Sequence, residues 1–205
     1  MTLRLYWHPF SIFPRRVRIA LREKGVACDE VEIDLPGGAT RGDAFRRLNP
    51  FGQVPVLEDD GLVIYESVAI LEYLEERYPM PALLPRDIAQ RARVRQWTQA
   101  SGNYLTGPLK RWLTRLFTPE AQWDRADQTL AAREIAVHLD VLDLTLADSG
   151  DHLVGDFSLA DIAYAPLVCE LETIGLASLV AERAALRRWI EALRRRPSVA
   201  ATAPR

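Results

Sequence analysis

A change in hydrophobic periodicity near residue 80 constrains the fold of this chain more than any other feature. Before it, strand-like alternation and helix-like spacing follow one another, and after it only helical spacing is found. Between the two patterns lie Pro79, Pro81 and Pro85, which a continuing helix does not tolerate. We therefore predict an α/β domain over residues 1–80, a linker over residues 81–86 and an all-helical domain over residues 87–205.

The first half predicts the element order β-α-β-α-β-β-α, and the second half predicts helices only. In the first half the elements are strands over residues 3–6 and 28–35, helices over 13–24, 43–48 and 66–78, and a hairpin whose strands over 52–58 and 62–64 flank an Asp-Gly turn at 59–61. A mixed sheet with helices on both faces accounts for this order. The later helices are predicted over residues 87–117, 120–147, 159–172 and 180–195, with Gly102, Gly107 and Pro108 interrupting the first of them.

Charge and cysteine content exclude several classes of protein. The formal net charge is −2 over 205 residues, so we expect no nucleic-acid partner. Cys28 and Cys169 lie in different halves and form no Cys-x-x-Cys pair, so neither a disulfide scaffold nor a metal site is expected. The chain shows no secretion signal and no apolar run of the roughly 20 residues that span a bilayer. We expect a cytoplasmic protein with no membrane contact.

Three stretches, taken in order and at their spacing, resemble the cytosolic glutathione transferase family, in particular its serine-type theta-, phi- and zeta-like members. They are Ser-Ile-Phe-Pro-Arg-Arg-Val-Arg-Ile-Ala-Leu at residues 11–21, Asn-Pro-Phe-Gly-Gln-Val-Pro-Val-Leu at residues 49–57, and Glu-Ser-Val-Ala-Ile-Leu-Glu-Tyr-Leu at residues 66–74. In the second half, Ser-Leu-Ala-Asp-Ile-Ala at residues 158–163 resembles the family's buried capping motif, and its Ser-x-x-Asp spacing predicts a capping box. The resemblance implies a thioredoxin-like first domain that binds glutathione, followed by an all-helical domain.

The resemblance assigns glutathione contacts to Gln53, Val54, Pro55, Glu66 and Ser67. It implies a cis Val54–Pro55 bond that leaves the Val54 backbone to pair with the extended cysteinyl unit, as in strand addition. Glu66 and Ser67 open a helix, where unpaired N–H groups attract the γ-glutamyl carboxylate and the Glu66 carboxylate attracts the ammonium. Gln53 would contact the glycyl end. A purely structural alternative is that Ser67 is only an N-cap.

Ser11 is the candidate catalytic residue, because it lies between the first strand and the first helix. A free thiol has a pKa of about 8.5, and a hydroxyl that donates to the sulfur would favour the thiolate. The helix dipole and Arg15 or Arg16 would act in the same direction. Two alternatives remain open: that Ser11 serves only as a helix cap, and that Tyr6 activates the thiol instead.

The resemblance also implies an electrophile pocket, a dimer and a reaction. Candidate pocket residues are Phe10, Tyr104, Pro108, Arg111 and Trp112, whose apolar and aromatic character suits a hydrophobic co-substrate. Glutathione is the co-substrate, no metal is needed, and a homodimer is expected. The alternatives are a glutathione-dependent isomerase or dehalogenase, and a non-catalytic interaction module. The isomerases of this family begin with Ser-Ser-Cys, which this chain lacks.

Overall fold

A computed structural model describes residues 3–204, and the chain forms two units. The N-terminal unit comprises residues 3–83 together with residues 197–204, and the helical unit comprises Leu84–Arg196. The last segment therefore differs from the expected division, which placed it in the helical domain. It packs against the first helix of the N-terminal unit, where the Ser198 hydroxyl donates to the Glu23 carboxylate.

The N-terminal unit is a four-stranded mixed sheet with helices, which confirms the predicted architecture. Its elements are β1 (Leu3–Trp7), α1 (Ile12–Glu23), β2 (Asp29–Glu32), α2 (Asp43–Arg46), β3 (Val56–Asp59), β4 (Leu62–Tyr65) and α3 (Ser67–Arg77), with a one-turn 3₁₀ helix at Ala39–Arg41. The strand order is β2-β1-β3-β4, in which β1 and β2 are parallel and the other pairs are antiparallel. Asp60 and Gly61, both with positive φ, close the hairpin between β3 and β4, as the Asp-Gly signal predicts.

The helical unit contains α4 (Ile88–Ala100), α5 (Gly107–Leu113), α6 (Arg125–Ser149), α7 (Leu159–Val168), α8 (Ala177–Ala181) and α9 (Ala184–Arg195). The short helix α10 (Pro197–Ala200) follows in the N-terminal unit. A π-helical segment at Ser101–Thr106 separates α4 from α5, which is the interruption that the glycines and the proline predict.

The capping box at the start of α7 is confirmed. The Ser158 hydroxyl accepts from the Ala160 N–H, while the Asp161 carboxylate accepts from the Ser158 N–H at 3.0 Å. Asp161 also accepts from the Trp189 indole N–H on α9 at 3.0 Å. A buried carboxylate is stable only when it is hydrogen-bonded in this way, so this motif fixes the helical core.

Candidate functional site

A short loop brings the Ser11 hydroxyl to the beginning of α1. The Ser11 N–H donates to the His8 carbonyl at 3.0 Å, and the Phe10 N–H donates to His8 Nδ1 at 3.3 Å. His8 is buried, and these two hydrogen bonds order the loop around it. Ser11 occupies the N-cap position, but its side chain makes no capping hydrogen bond. Its hydroxyl lies half-buried at the positive end of the helix, available to an external acceptor.

The Tyr6 hydroxyl, the rival thiol activator, is already engaged. It donates to the Glu58 carboxylate at 2.8 Å, and its ring packs edge-on against Phe45. Burial raises the pKa of Tyr6 above its ordinary value. The structure therefore gives this hydroxyl a partner within the sheet, whereas the Ser11 side chain has none among residues 3–204.

Asn49 shapes the loop that carries Gln53, Val54 and Pro55. Its side-chain amide donates to the Gln53 carbonyl at 2.8 Å, and its Oδ1 accepts from the Phe51 N–H at 3.0 Å. The Val54–Pro55 peptide bond is cis, as the resemblance implied. Both side chains are buried, while Gln53 is exposed. No hydrogen bond within the described chain engages the main-chain N–H or C=O of Val54, so an extended ligand can pair with them.

A positive φ at Gly52 brings this loop against a neighbouring turn. With φ of +61°, the position would place an added Cβ only 2.9 Å from the Thr40 carbonyl oxygen, so no other residue fits without a shift. The contact sets the 3₁₀ turn at Ala39–Arg41 beside the residues that precede Gln53. Sequence reasoning did not single out this turn, because its place depends on tertiary packing.

Ser67 is not the N-cap of α3, as the structural alternative proposed; Glu66 occupies that position. Ser67 is the first helical residue, and Glu66 precedes it with φ 72° and ψ 112°, a conformation that L-residues rarely adopt. The Glu66 side chain makes no capping bond, and no acidic residue lies in the first turn. The first N–H groups of α3 are thus open to an anion. The buried Ser67 hydroxyl lies 3.5 Å from Arg16 Nη1 of α1.

The helical unit contains a cavity of about 710 Å³ between the α4–α5 segment and α6. Tyr104 and Pro108, two of the predicted pocket residues, line it. The remaining lining residues are Gln96, Trp97, Ala100, Asn103, Leu130, Arg133, Glu134, Val137, His138 and Val141. Most of this wall is apolar or aromatic, so the cavity suits a hydrophobic ligand.

Arg111 and Trp112 do not line this cavity. Arg111 forms ion pairs with Glu134 and Asp127 of α6, and the Trp112 indole N–H donates to the Ile174 carbonyl at 2.9 Å. Both side chains are therefore used to hold the helices together. Phe10, the remaining predicted pocket residue, belongs to the N-terminal unit, where it is exposed and lies against the His8 ring.

His138 forms the buried polar part of the cavity wall. Its Nε2 lies 2.9 Å from the Tyr164 hydroxyl, and the two rings are stacked with centroids 5.7 Å apart. Burial lowers the pKa of His138 to about 4. The imidazole is therefore neutral at physiological pH, and the cavity gains no positive charge from it.

The described residues give little support for a metal site or for a cysteine nucleophile. No three His, Cys, Asp or Glu side chains within residues 3–204 are grouped to hold a metal ion. Burial raises the pKa of the Cys28 thiol to about 12, which makes it a poor nucleophile at neutral pH. Of the helices described, none combines the length and apolar character needed to cross a membrane.

Comparison with known proteins decides the family. The family described as "Glutathione S-transferase, N-terminal domain" matches residues 5–82, and "Glutathione S-transferase, C-terminal domain" matches residues 108–197. Glutathione S-transferase F9 of Arabidopsis thaliana is 32% identical over 205 residues, covering 97% of this chain and 94% of the relative. The chain belongs to the glutathione S-transferase family. The predicted family resemblance is thereby confirmed.

Another relative and a solved structure are also similar to this chain. Maleylacetoacetate isomerase of Rattus norvegicus is 38% identical over 161 residues, covering 77% of this chain and 72% of the relative. The crystal structure of glutathione transferase F7 from Populus trichocarpa has 26% identity and a TM-score of 0.89, and the match covers 98% of this chain and 97% of that chain. The thioredoxin-like and all-helical architecture of the transferase family is therefore the fold of this protein.

Proposed function

We propose that this protein is a glutathione transferase in which Ser11 stabilises the thiolate of bound glutathione. The observation that carries the proposal is the uncommitted Ser11 hydroxyl at the start of α1, in the same unit as the uncapped start of α3. A hydroxyl that donates to the sulfur lowers the thiol pKa, and the positive helix end acts in the same direction. The thiol proton passes to solvent when the thiolate forms.

Gln53, Val54, Pro55, Glu66 and Ser67 would hold glutathione for this chemistry. The open main chain of Val54 supports pairing with the cysteinyl unit, and the exposed Gln53 side chain is suited to the glycyl end. The free N–H groups at the start of α3 suit the γ-glutamyl carboxylate, while the Glu66 carboxylate suits the ammonium. Binding uses no metal.

The reaction we propose is attack of the thiolate on a hydrophobic electrophile. The sulfur forms a bond to an electrophilic carbon, and a leaving group such as halide departs with its electron pair. The apolar cavity lined by Tyr104 and Pro108 supports a hydrophobic co-substrate, and Phe10 offers further exposed apolar surface in the N-terminal unit. We do not assign Arg111 or Trp112 to this pocket, because their polar groups are bonded elsewhere.

A glutathione-dependent isomerase is the second candidate, favoured by the relative named maleylacetoacetate isomerase. In that case the thiolate adds to an unsaturated carbon, a bond rotates, and the thiolate leaves again, so no glutathione is consumed. The start of α1 here reads Ser11-Ile12-Phe13, without the cysteine of the Ser-Ser-Cys pattern. Measuring glutathione consumption with each substrate class separates the two reactions.

We also propose a cytoplasmic homodimer. Neither cysteine is in a disulfide, which suits a reducing compartment. Large apolar side chains are exposed on both units, including Phe51, Ile88 and Leu144, and such surface is typical of interaction sites. Size-exclusion chromatography with light scattering tests the dimer, since a species of 23.2 kDa would be a monomer.

Calorimetric titration with glutathione tests the main proposal, with thiolate absorbance followed against pH. The wild type should bind and lower the thiol pKa from about 8.5 to about 7. Ser11→Ala should still bind but lose most of this shift in thiol pKa, and Tyr6→Phe, the control for the rival hydroxyl, should keep it. Absence of glutathione binding would overturn the proposal. Binding without turnover of any electrophile would favour a non-catalytic module.

A further inference from the structure

We propose that Arg16 is a positioning residue that aims the Ser67 hydroxyl at the γ-glutamyl carboxylate of glutathione. This inference rests on the proposed function and adds a residue that does not touch the ligand. Arg16 lies on α1 and Ser67 opens α3, 51 residues later, yet Nη1 and Oγ are 3.5 Å apart. That separation is at the long end of hydrogen-bond distance, and such bonds in unliganded sites often shorten when ligand binds.

The burial of both side chains is the first argument. Arg16 is 1% exposed and Ser67 is 5% exposed. Arginine is almost never fully buried without specific partners, because desolvating a charge costs several kcal/mol. Arg16 is nevertheless among the buried residues of α1, as are Val17 and Ile19. A buried guanidinium directed at a binding residue therefore indicates more than packing.

The direction of the hydrogen bond is the second argument. A guanidinium has only donors, whereas a serine hydroxyl has one donor and two acceptor lone pairs. In the contact between Arg16 and Ser67, the serine oxygen must accept. Its proton is therefore left to donate to another acceptor. An anion at the start of α3 would be that acceptor, because the N–H groups there have no side-chain cap.

Charge is the third argument. The start of a helix carries a partial positive charge, and α3 has no acidic residue in its first turn to offset it. The guanidinium of Arg16 adds a full charge beside the first residue, in a region of low dielectric where Coulomb interactions are strong. Arg16 thus favours a carboxylate in two ways, by orienting the hydroxyl and by its own field.

The test compares two ligands that differ by one group. Glutathione carries the α-carboxylate of its γ-glutamyl residue, while γ-aminobutyryl-cysteinyl-glycine lacks only that group. For the wild type we expect glutathione to bind about 10- to 100-fold more tightly. In Arg16→Met the affinity for glutathione should fall by about tenfold or more, while that for the analogue changes by less than about twofold. KM for glutathione should rise, and kcat at saturation should stay near the wild-type value.

Matched variants separate positioning from structural support. Arg22→Met removes an exposed charge from the same helix and should leave the ratio of the two affinities unchanged. Ser67→Ala should also reduce the ratio, and the double variant should lose less than the sum of the two single losses, because part of the effect of Arg16 acts through the Ser67 hydroxyl. If Arg16→Met does not fold, Arg16→Lys takes its place and should lower the ratio in part.

Three results would overturn the inference. An equal loss of affinity for both ligands in the Arg16 variants would show that Arg16 only supports the structure. Unchanged affinity for both ligands in Arg16→Lys or in Arg16→Met would exclude positioning. A wild type that binds neither ligand would overturn the proposed function as well, whereas normal wild-type discrimination with either of the first two results leaves that function intact.

Discussion

Lys24 and Glu75 form an ion pair inside the N-terminal unit, with 2.6 Å between Nζ and Oε2 and side chains only 1% and 9% exposed. Lys24 also donates to the carbonyls of Tyr78 and Pro81, and Glu75 accepts from the Leu83 N–H. The pair therefore joins the end of α1 to α3 and to the segment that follows it. These two helices carry the candidate glutathione residues at their other ends.

Lys24→Met should destabilise the protein by about 3–5 kcal/mol, because it leaves the Glu75 carboxylate buried without its cation. Urea unfolding measures the change. The double variant Lys24→Met, Glu75→Leu should recover much of the loss, since two apolar side chains replace the ion pair. Equal effects of the single and double variants would show that the charge of Glu75 is not what destabilises the single variant.

Glu66→Gly should lower glutathione affinity without lowering the stability of the protein. Glycine adopts φ 72° without steric cost, so the variant should be neutral or up to about 1 kcal/mol more stable. Glutathione affinity should fall by about tenfold, because the carboxylate that we propose as the partner of the ammonium is lost. Thermal unfolding and calorimetry give the two quantities.

Glu66→Gln is the control for that experiment. It keeps the strained backbone and removes only the charge, so affinity should fall without any gain in stability. If Glu66→Gly also keeps full affinity, the Glu66 carboxylate has no role in binding.

Val137→Asp should weaken binding of hydrophobic electrophiles by about tenfold or more without changing glutathione affinity, because it places a charge in the wall of the apolar cavity. KM for the electrophile is the quantity to measure. Ala147→Asp is the matched control, since Ala147 is exposed on the same helix but does not line the cavity. Equal effects of both variants would show that the cavity does not bind the electrophile.

His138 should make the helical unit less stable as pH falls from about 6.5 to about 4. Burial lowers the pKa of His138 to about 4, so in this window the unfolded chain binds a proton that the folded chain does not. The loss is about 3 kcal/mol at most. Urea unfolding of wild type and His138→Gln across this range should show a smaller acid dependence in the variant.

His152 provides a control of opposite sign. The Asp161 carboxylate, 3.6 Å from Nδ1, raises the pKa of His152, while partial burial opposes the shift. Its contribution to stability is therefore complete below the unfolded pKa near 6.5 and is lost as pH rises through the folded value. A His152→Gln variant should lose stability at low pH and differ little from wild type at high pH.

Local sequence patterns determined much of this protein. The hairpin at Asp60-Gly61, the capping box of Ser158 with Asp161, and the interruption after α4 follow from residues within a few positions of one another. The motifs around Ser11, Val54-Pro55 and Glu66-Ser67 were sufficient to indicate the family. These features were predictable because turn chemistry, capping and periodicity act over short distances along the chain.

Contacts between residues far apart in the sequence were decided by the tertiary structure alone. Packing of α1 against α3 sets Arg16 against Ser67 and Lys24 against Glu75, in each case across about fifty residues. Packing also commits the Trp112 indole to a carbonyl of the helical unit, and places residues 197–204 with the N-terminal unit. Which polar side chains find partners depends on how buried surfaces meet, and that is a property of the whole core rather than of neighbouring residues.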